Sequence, residues 1–305
     1  MPEKLNMKYF VSVIIPCYNA EKYIEQTIES ALNQTHKYLE LIIINDGSTD
    51  VSEELIIKYC NLDSRVKYFS QQNKGVSFAR NEGIKKAVGE FIAFLDADDV
   101  WEPENVEKKI KVLNEYKTID WVFSDMYLAD EMLNKTGIRE GRDNGNLLNS
   151  LLLRKGEIIG VPSNIIVRSS CFEVIDISFD TNLSTSADWD FCLQLLSKGF
   201  SCKRVPLPLW SYRVHEDSMS HNVQTLQSDN LYVLRKAQSQ IFFKSFWFKQ
   251  QCFSNTYLIL AGCWWVNGHN KTKGFYFIIK SILFYPPNIL KLLKKMRPFK
   301  LTRVI

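Results

Sequence analysis

The sequence predicts an α/β protein with a mostly parallel, Rossmann-like β-sheet flanked by helices and a C-terminal helical extension. Two observations support this class. Short apolar runs that suit buried strands alternate with segments whose apolar residues recur at helical spacing, as in βαβ units. Polar clusters also follow three of the predicted strands directly, and ligands bind parallel sheets beyond the carboxyl ends of their strands.

The elements of the first half follow one another in regular order. Strands are predicted at residues 11–15, 39–44, 66–69, 90–95 and 119–125, and helices at residues 21–34, after Asp50, at 75–88 and at 104–116. Turn formers predict a loop or hairpin at 126–146, followed by helices at 147–154 and 188–197 and a strand at 165–167. From about residue 226 we predict a helix pair, interrupted at 266–273 and ended by Pro286-Pro287.

Acidic and basic residues are unevenly distributed along the chain. Residues 1–229 hold 25 basic and all 34 acidic side chains, whereas no acidic residue follows Asp229. The basic residues after that point are Arg235, Lys236, Lys244, Lys249, Lys271, Lys273, Lys280, Lys291, Lys294, Lys295, Arg297, Lys300 and Arg303. We therefore predict two domains, 1–225 and 226–305, and an anionic membrane surface as the partner of the second. In the alternative interpretation its aromatic residues form the core of a helical cap, and both can hold.

Seven cysteines without a C-x-x-C pair favour a reducing, cytoplasmic setting over a disulfide framework. The longest unbroken apolar run, 257–266, is too short to span a bilayer. Contact with a membrane is therefore expected to be peripheral. An acidic body also argues against nucleic acid as the main substrate.

The cluster Asp96-Ala97-Asp98-Asp99 follows the strand predicted at 90–95. Three carboxylates this close repel one another unless a cation or protons offset their charge. Mn²⁺ and Mg²⁺ prefer oxygen ligands and often share them with substrate phosphates. The cluster therefore predicts a metal site that holds a diphosphate, although a solvated acidic turn before a helix has the same composition.

Two further clusters follow the first and second strands. Tyr18 is a candidate for stacking on a base, and Asn19 for capping the first helix. Asp46 is a candidate acceptor for a nucleobase N–H, although Asn45–Ser48 also suits a plain turn. Cys17 as a nucleophile is disfavoured because no histidine lies near it in the sequence.

Four residues farther along the chain complete the candidate site. Arg80 and Arg213 are candidates for binding phosphate, and His215 for binding metal or phosphate. Asp188 is the candidate general base, although a carboxylate at a helix start is also a structural feature.

Together the segments VSVIIPCYNAEKYIEQTIESALNQT, ELIIINDGSTD, NKGVSFARNEGI, GEFIAFLDADDVWEP, SADWDF and YRVHEDSMS resemble family 2 glycosyltransferases, which are inverting enzymes of the GT-A fold. The resemblance covers roughly residues 9–221. It implies transfer of a sugar from a nucleotide-sugar, with UDP as the expected nucleotide, to a hydroxyl of a glycan or lipid-linked saccharide. The donor sugar, the acceptor and the oligomeric state stay open.

The resemblance also implies a role for each candidate. Asp98 would ligate Mn²⁺ or Mg²⁺, with Asp96 holding the ribose or the metal. The nucleotide pocket would be lined by Pro16, Tyr18 and Asn19, by Asp46 at the base, and by Arg80 near the base or the phosphates. Asp188 would be the catalytic base.

One position departs from the family pattern. The family often has Glu-Asp where this chain has Ala187-Asp188, so the base or its acceptor contacts are altered, and Asp190 is the fallback base. The departure also keeps open a catalytically inactive binding or scaffold protein on the same fold. A nucleotidyltransferase is disfavoured because PCYNAE replaces the glycine-rich, basic segment expected near its first strand.

Overall fold

The computed structural model describes residues 9–174, 177–215, 219, 222–240 and 242–289. These residues belong to two units, Met1–Leu147 with Glu157–His215 and Leu148–Gly156 with Glu216–Ile305, each taken over its described part. The domain boundary predicted after residue 225 lies within the helix Val223–Ser239, and the predicted division stays a prediction.

A single β-sheet organises the first unit. Its nine strands within the described residues are β1 (Val11–Cys17), β2 (Leu39–Asn45), β3 (Val66–Ser70), β4 (Phe91–Phe94), β5 (Val100–Trp101), β6 (Trp121–Ala129), β7 (Lys135–Arg139), β8 (Ile166–Arg168) and β9 (Cys202–Arg213). The order across the sheet is β3-β2-β1-β4-β8-β6-β9-β5, with β7 paired to β6. Pairing is parallel among β1 to β4 and between β6 and β9, so the predicted mostly parallel sheet is confirmed.

Strands β1 and β2 are mostly apolar because they are buried. Every residue of β1 and of β2 is buried, because helices cover both faces of a parallel sheet. Val11 is in register with Leu39, and the pairing continues to Cys17 and Asn45. This register brings the polar segments that follow β1 and β2 to the same edge of the sheet.

Helices connect the strands largely as the periodicity predicts. Their bounds are α1 (Ile24–Leu32), α2 (Ser52–Leu62), α3 (Val76–Lys86), α4 (Asn105–Glu115), α5 (Leu147–Leu152), α6 (Ser170–Val174), α7 (Ala187–Ser197), α8 (Val223–Ser239), α9 (Phe246–Val266) and α10 (Lys271–Phe284). The predicted interruption at 266–273 is confirmed by the end of α9 and the start of α10. The predicted stop at Pro286 is confirmed as well, because α10 ends two residues before it.

The second unit contains an aromatic core between α9 and α10. Tyr257 of α9 stacks on Phe277 of α10, with ring centroids 5.9 Å apart. The Ser254 hydroxyl hydrogen-bonds with Ser281, whose carbonyl oxygen lies 2.7 Å from it. Part of the aromatic residues thus form a helical core, as one of the two interpretations expected. Among the described residues, no helix is both long and apolar enough to cross a membrane.

Gly83 sets how closely α3 packs on the sheet. A Cβ atom at this position would lie 2.3 Å from Cγ2 of Ile14, which is fully buried in β1. We expect Gly83→Ala to lower the free energy of unfolding by about 1–3 kcal/mol, because α3 must shift away from β1. Urea unfolding measures this change. Gly262→Ala is the control, since Gly262 in α9 has open space around its Cβ position and alanine favours a helix.

Candidate active site

The acidic turn after β4 is held in place by its most buried member. Asp99 is 1% exposed; its Oδ2 accepts a hydrogen bond from the Ser163 hydroxyl (2.6 Å) and its Oδ1 accepts one from the Arg213 amide (3.1 Å). Burial raises the pKa of Asp99 well above its ordinary value, and the nearby charges of Asp98 and Asp96 raise it further. Asp99 therefore fixes the turn, while the two other carboxylates face outward.

Asp96 and Asp98 are the half-exposed carboxylates of this turn, with 24% and 35% of their side chains accessible. Asp96 Oδ1 lies 2.6 Å from a terminal nitrogen of Arg80, and Asp98 Oδ2 lies 3.0 Å from Nε2 of His215. Within the described residues, the second oxygen of each carboxylate makes no hydrogen bond. Each carboxylate is therefore a partly exposed source of the hard oxygen ligands that Mn²⁺ and Mg²⁺ prefer.

The protein side chains at the acidic turn supply few ligands for a metal ion. In the part of the chain that the structure describes, no three His, Cys, Asp or Glu side chains come together as metal ligands. Mg²⁺ and Mn²⁺ are commonly held by one or two carboxylates together with substrate phosphates and water. The residues present thus fit a metal that arrives with a diphosphate rather than a metal enclosed by protein.

Arg213 holds the acidic turn in place through hydrogen bonds. Its side chain is buried, and it donates to the carbonyl oxygens of Asp98 (2.7 Å) and Glu131 (2.6 Å) and to Oε1 of Gln26 (2.7 Å). The guanidinium also lies over the ring of Tyr23, 4.7 Å from its centroid. Burial lowers the pKa of Arg213. Because three of its N–H groups donate hydrogen bonds to protein oxygens, phosphate binding by Arg213 stays a prediction.

His215 lies beside Arg213 and is also covered by Tyr23. The two rings are 4.8 Å apart between centroids. His215 approaches Asp98 through Nε2, so it is placed to orient the carboxylate predicted to bind metal. Its role as a metal ligand stays a prediction.

Asp46 organises the loop that leads into α3. Its Oδ1 accepts hydrogen bonds from the Gln71 side chain (2.7 Å) and the Lys74 amide (2.9 Å), and its Oδ2 accepts one from the Gly75 amide (2.8 Å). The neighbouring Gly47 has φ +74°, and a Cβ there would lie 2.9 Å from the Asn73 nitrogen. The turn thus needs glycine. Asp46 contacts the protein strongly, and its contact with a nucleobase stays a prediction.

The segment after β1 meets the segment after β2. The Asn19 amide donates to the Ser48 hydroxyl (3.0 Å), and Asn19 Oδ1 accepts from the Thr49 amide (2.8 Å). The prediction that Asn19 caps the first helix is wrong, because α1 begins only at Ile24 and the Asn19 side chain is bound to Thr49.

The three residues before Asn19 differ in accessibility. Tyr18 is 51% exposed at the edge of the sheet, whereas Pro16 and Cys17 are buried in β1. Burial raises the pKa of the Cys17 thiol to about 12, so the thiolate needed for a nucleophile is disfavoured.

Arg80 connects the acidic turn to two other elements. It lies on α3, pairs with Asp96, and places its guanidinium 5.1 Å from the ring centroid of Phe179. The same helix is joined to the 177–183 segment by the Ser77 hydroxyl, which donates to the Leu183 carbonyl, and by paired hydrogen bonds between Asn81 and Phe179. This segment leads directly into α7.

The candidate base lies in the first turn of α7. Asp188 is half-buried, whereas Asp190 is 3% exposed and accepts a hydrogen bond from the Gln194 side chain (2.7 Å). Burial lowers the pKa of Arg139 on β7, and the charge of Asp188 opposes that change, so the two side chains interact electrostatically. Ala187 is buried. Asp188 is thus the more accessible of the two aspartates.

Three contributors to the site escaped the sequence analysis. Ser163 bonds to both ends of the acidic turn, because its hydroxyl also accepts from the Asp96 amide (3.1 Å). Phe179 contacts the Arg80 guanidinium, and Arg139 interacts electrostatically with Asp188. None of the three belongs to a polar cluster that directly follows a predicted strand, the pattern that predicts several of the other site residues. The strand predicted at residues 165–167 begins two residues after Ser163 and is the nearest sequence feature that could have indicated it.

Comparisons with known proteins identify the family of this chain. The profile described as Glycosyl transferase family 2 matches residues 12–176. TuaG of Bacillus subtilis, a glycosyltransferase provisionally assigned to teichuronic acid biosynthesis, is 31% identical over 243 residues, which are 79% of this chain and 94% of that protein. An uncharacterized glycosyltransferase of Rickettsia bellii is 43% identical over 143 residues, but this chain covers only 20% of its length.

Two solved structures are similar over nearly the whole chain. Staphylococcus aureus TarS (residues 1–349) in complex with UDP has a TM-score of 0.60 at 19% identity, covering 95% of this chain and 93% of that one. The mannosyltransferase PcManGT of Pyrobaculum calidifontis, in complex with GDP-Man and Mn²⁺, has a TM-score of 0.63 at 15% identity, covering 96% and 82%. At these identities the likeness concerns the fold.

Proposed function

The chain belongs to glycosyltransferase family 2 and has the GT-A fold, and from this premise we propose that it is a metal-dependent, inverting glycosyltransferase. The proposed reaction moves a sugar from a nucleoside-diphosphate sugar to a hydroxyl of a glycan or lipid-linked saccharide in polysaccharide biosynthesis. The observation that carries this proposal is the pair of half-exposed carboxylates, Asp96 and Asp98, on a turn fixed by buried Asp99.

A UDP-sugar is the donor that we favour. TarS was solved with UDP and PcManGT with GDP-Man and Mn²⁺, so nucleotide-sugars and a divalent cation suit this fold generally. In the proposed complex Asp46 contacts the base, and Pro16, Tyr18 and Asn19 line the nucleotide pocket. Tyr18 is 51% exposed and offers its ring for stacking.

Asp96 and Asp98 would hold the metal through their carboxylate oxygens, with His215 orienting Asp98 or joining the ligands. When bound, the metal neutralises the charge that develops on the departing diphosphate. Arg80 adds a positive charge beside Asp96. Arg213 keeps the turn in place through the carbonyl of Asp98, and by our sequence interpretation also contacts phosphate.

The proposed chemistry is a single displacement. A bond forms between the acceptor oxygen and the anomeric carbon while the bond from that carbon to the diphosphate oxygen breaks. Because attack comes from the face opposite the leaving group, configuration inverts. Asp188 accepts the acceptor's proton, and its accessibility in the first turn of α7 suits that role better than buried Asp190.

We also propose that residues 226–305 contact an anionic membrane peripherally, from the cytoplasmic side. The absence of acidic residues after Asp229 supports this contact, as do the thirteen basic residues there. All seven cysteines are free, which fits a reducing compartment.

A donor panel tests the proposed reaction. We expect one nucleotide-sugar, with UDP-sugars tried first, to release its nucleoside diphosphate slowly in the presence of Mn²⁺ or Mg²⁺. Chelation with EDTA should lower this release on the order of tenfold or more, because the leaving diphosphate loses its counter-charge. Failure of every donor to bind or react, with acceptor extracts and vesicles present, would instead indicate a catalytically inactive binding protein.

A further inference from the structure

Helix α10 of the second unit has two opposite apolar stripes. The inner stripe, Gly274, Phe277 and Ser281, is buried, and Phe277 stacks on Tyr257 of α9. The outer stripe is Phe275, Ile279 and Leu283, with exposed fractions of 59%, 44% and 73%. Since successive residues advance by about 100° around a helix, the outer stripe lies roughly opposite the inner one.

Lysines flank the outer stripe along the helix. Lys273 and Lys280 lie on one side of it and Lys271 on the other, by the same helical spacing. The Lys280 ammonium lies 4.7 Å from the ring centroid of Tyr276, which is itself 50% exposed and borders the stripe. An apolar stripe between cationic flanks is the pattern of a helix that lies in the plane of a membrane interface.

We infer that the outer stripe of α10 is the membrane-inserting face of this protein, with Phe275, Ile279 and Leu283 entering the acyl boundary and the three lysines contacting anionic headgroups. This inference rests on the proposed membrane contact but is independent of the proposed glycosyl transfer. It assigns the contact to one helix face, whereas the sequence alone assigned it to eighty residues.

Charge favours an anionic lipid surface over a second copy of the chain. A two-fold interface brings the same patch of both copies together, so it would place Lys271, Lys273 and Lys280 near their own equivalents. No acidic side chain follows Asp229 to offset that repulsion within the second unit's C-terminal part. An anionic lipid surface accepts the apolar side chains of the stripe and attracts the flanking lysines.

The test is cosedimentation of the full-length protein with phosphatidylcholine vesicles, with and without phosphatidylglycerol. The stripe variant is Phe275→Ser/Ile279→Ser/Leu283→Ser. The matched control replaces three exposed apolar side chains of the first unit, Leu62→Ser/Val88→Ser/Met132→Ser, which are 71%, 63% and 80% exposed. We expect the wild type and the control to bind anionic vesicles alike and the stripe variant to bind on the order of 10- to 100-fold more weakly.

The outcomes separate this inference from the proposals on which it stands. Equal binding by the stripe variant and the control would overturn the inference and leave the charge-based contact intact. If the wild type binds no vesicle, the proposed membrane contact and this inference both fail, while donor turnover, measured in parallel, still tests the transferase. Binding independent of phosphatidylglycerol would refute the anionic surface. Concentration-dependent self-association that the stripe variant alone loses, without vesicle binding, would assign the stripe to a second copy.

Discussion

Asp98→Asn is expected to lower metal-dependent donor turnover by about 10²–10³-fold. Asparagine keeps the size of the side chain and an oxygen for His215, so the turn held by Asp99 should survive. What is lost is the negative charge of the carboxylate predicted to bind the metal. The measurement is the initial rate of nucleoside diphosphate release as a function of Mn²⁺ concentration, together with Mn²⁺ binding followed by electron paramagnetic resonance in the presence of nucleotide.

Asp63→Asn is the matched control. Asp63 follows α2, pairs with Arg65 (2.8 Å), and its side chain is 27% exposed, close to the 35% of Asp98. Loss of this surface ion pair should cost at most about 1 kcal/mol of stability and leave turnover unchanged. If Asp98→Asn retains wild-type turnover with wild-type dependence on Mn²⁺, the assignment of the metal to this turn is wrong.

Sequence alone predicted the first half of the fold because its signals are local. The runs that form β1, β2 and β4 are mostly apolar, and the polar segments after them follow the strands directly in the sequence. The rule that parallel strands share a carboxyl edge then sufficed to bring these segments together. The hydrogen bond from the Asn19 amide to Ser48, which joins two of them, follows from that rule.

The second half was harder for an identifiable reason. Strand β9 is twelve residues long but contains Pro206 and Pro208, and its register with β6 shifts between Ser124 and Asp125. Proline cannot donate to a ladder, so the sequence did not indicate a strand there. Strand β5 has only two residues and forms because Val100 and Trp101 pair with β9. Since β9 is distant in the sequence, the residues around β5 do not indicate a strand.

Charged residues show the same limit within the site. Asp99 and Arg213 have the same side chains as residues that bind metal or phosphate, yet both are buried and bonded to protein atoms. Arg213 reaches the carbonyl of Asp98 from 115 residues away in the chain. Only the tertiary structure distinguishes a carboxylate that supports the turn from Asp96 and Asp98, which face outward.

Asp188→Asn is expected to lower transfer to an acceptor by about 10²–10⁴-fold while leaving metal-dependent binding of the donor unchanged. The asparagine cannot accept the proton that the acceptor hydroxyl releases, and α7 should stay intact because the side chain is half-buried in its first turn. The measurement is the rate of acceptor-stimulated nucleoside diphosphate release, using the donor found in the panel and candidate acceptors. The residual rate should rise with pH as hydroxide replaces the missing base.

Asp190→Asn separates the two aspartates of α7. Asp190 is buried and accepts a hydrogen bond from Gln194, so its replacement should lower the free energy of unfolding by about 1–3 kcal/mol. We expect a smaller effect on transfer than in Asp188→Asn once the fraction of folded protein is accounted for. The reverse pattern, in which Asp190→Asn abolishes transfer at unchanged stability and Asp188→Asn retains it, would move the base to Asp190. Such a result would place the base two positions farther along α7, on a side chain that the structure buries.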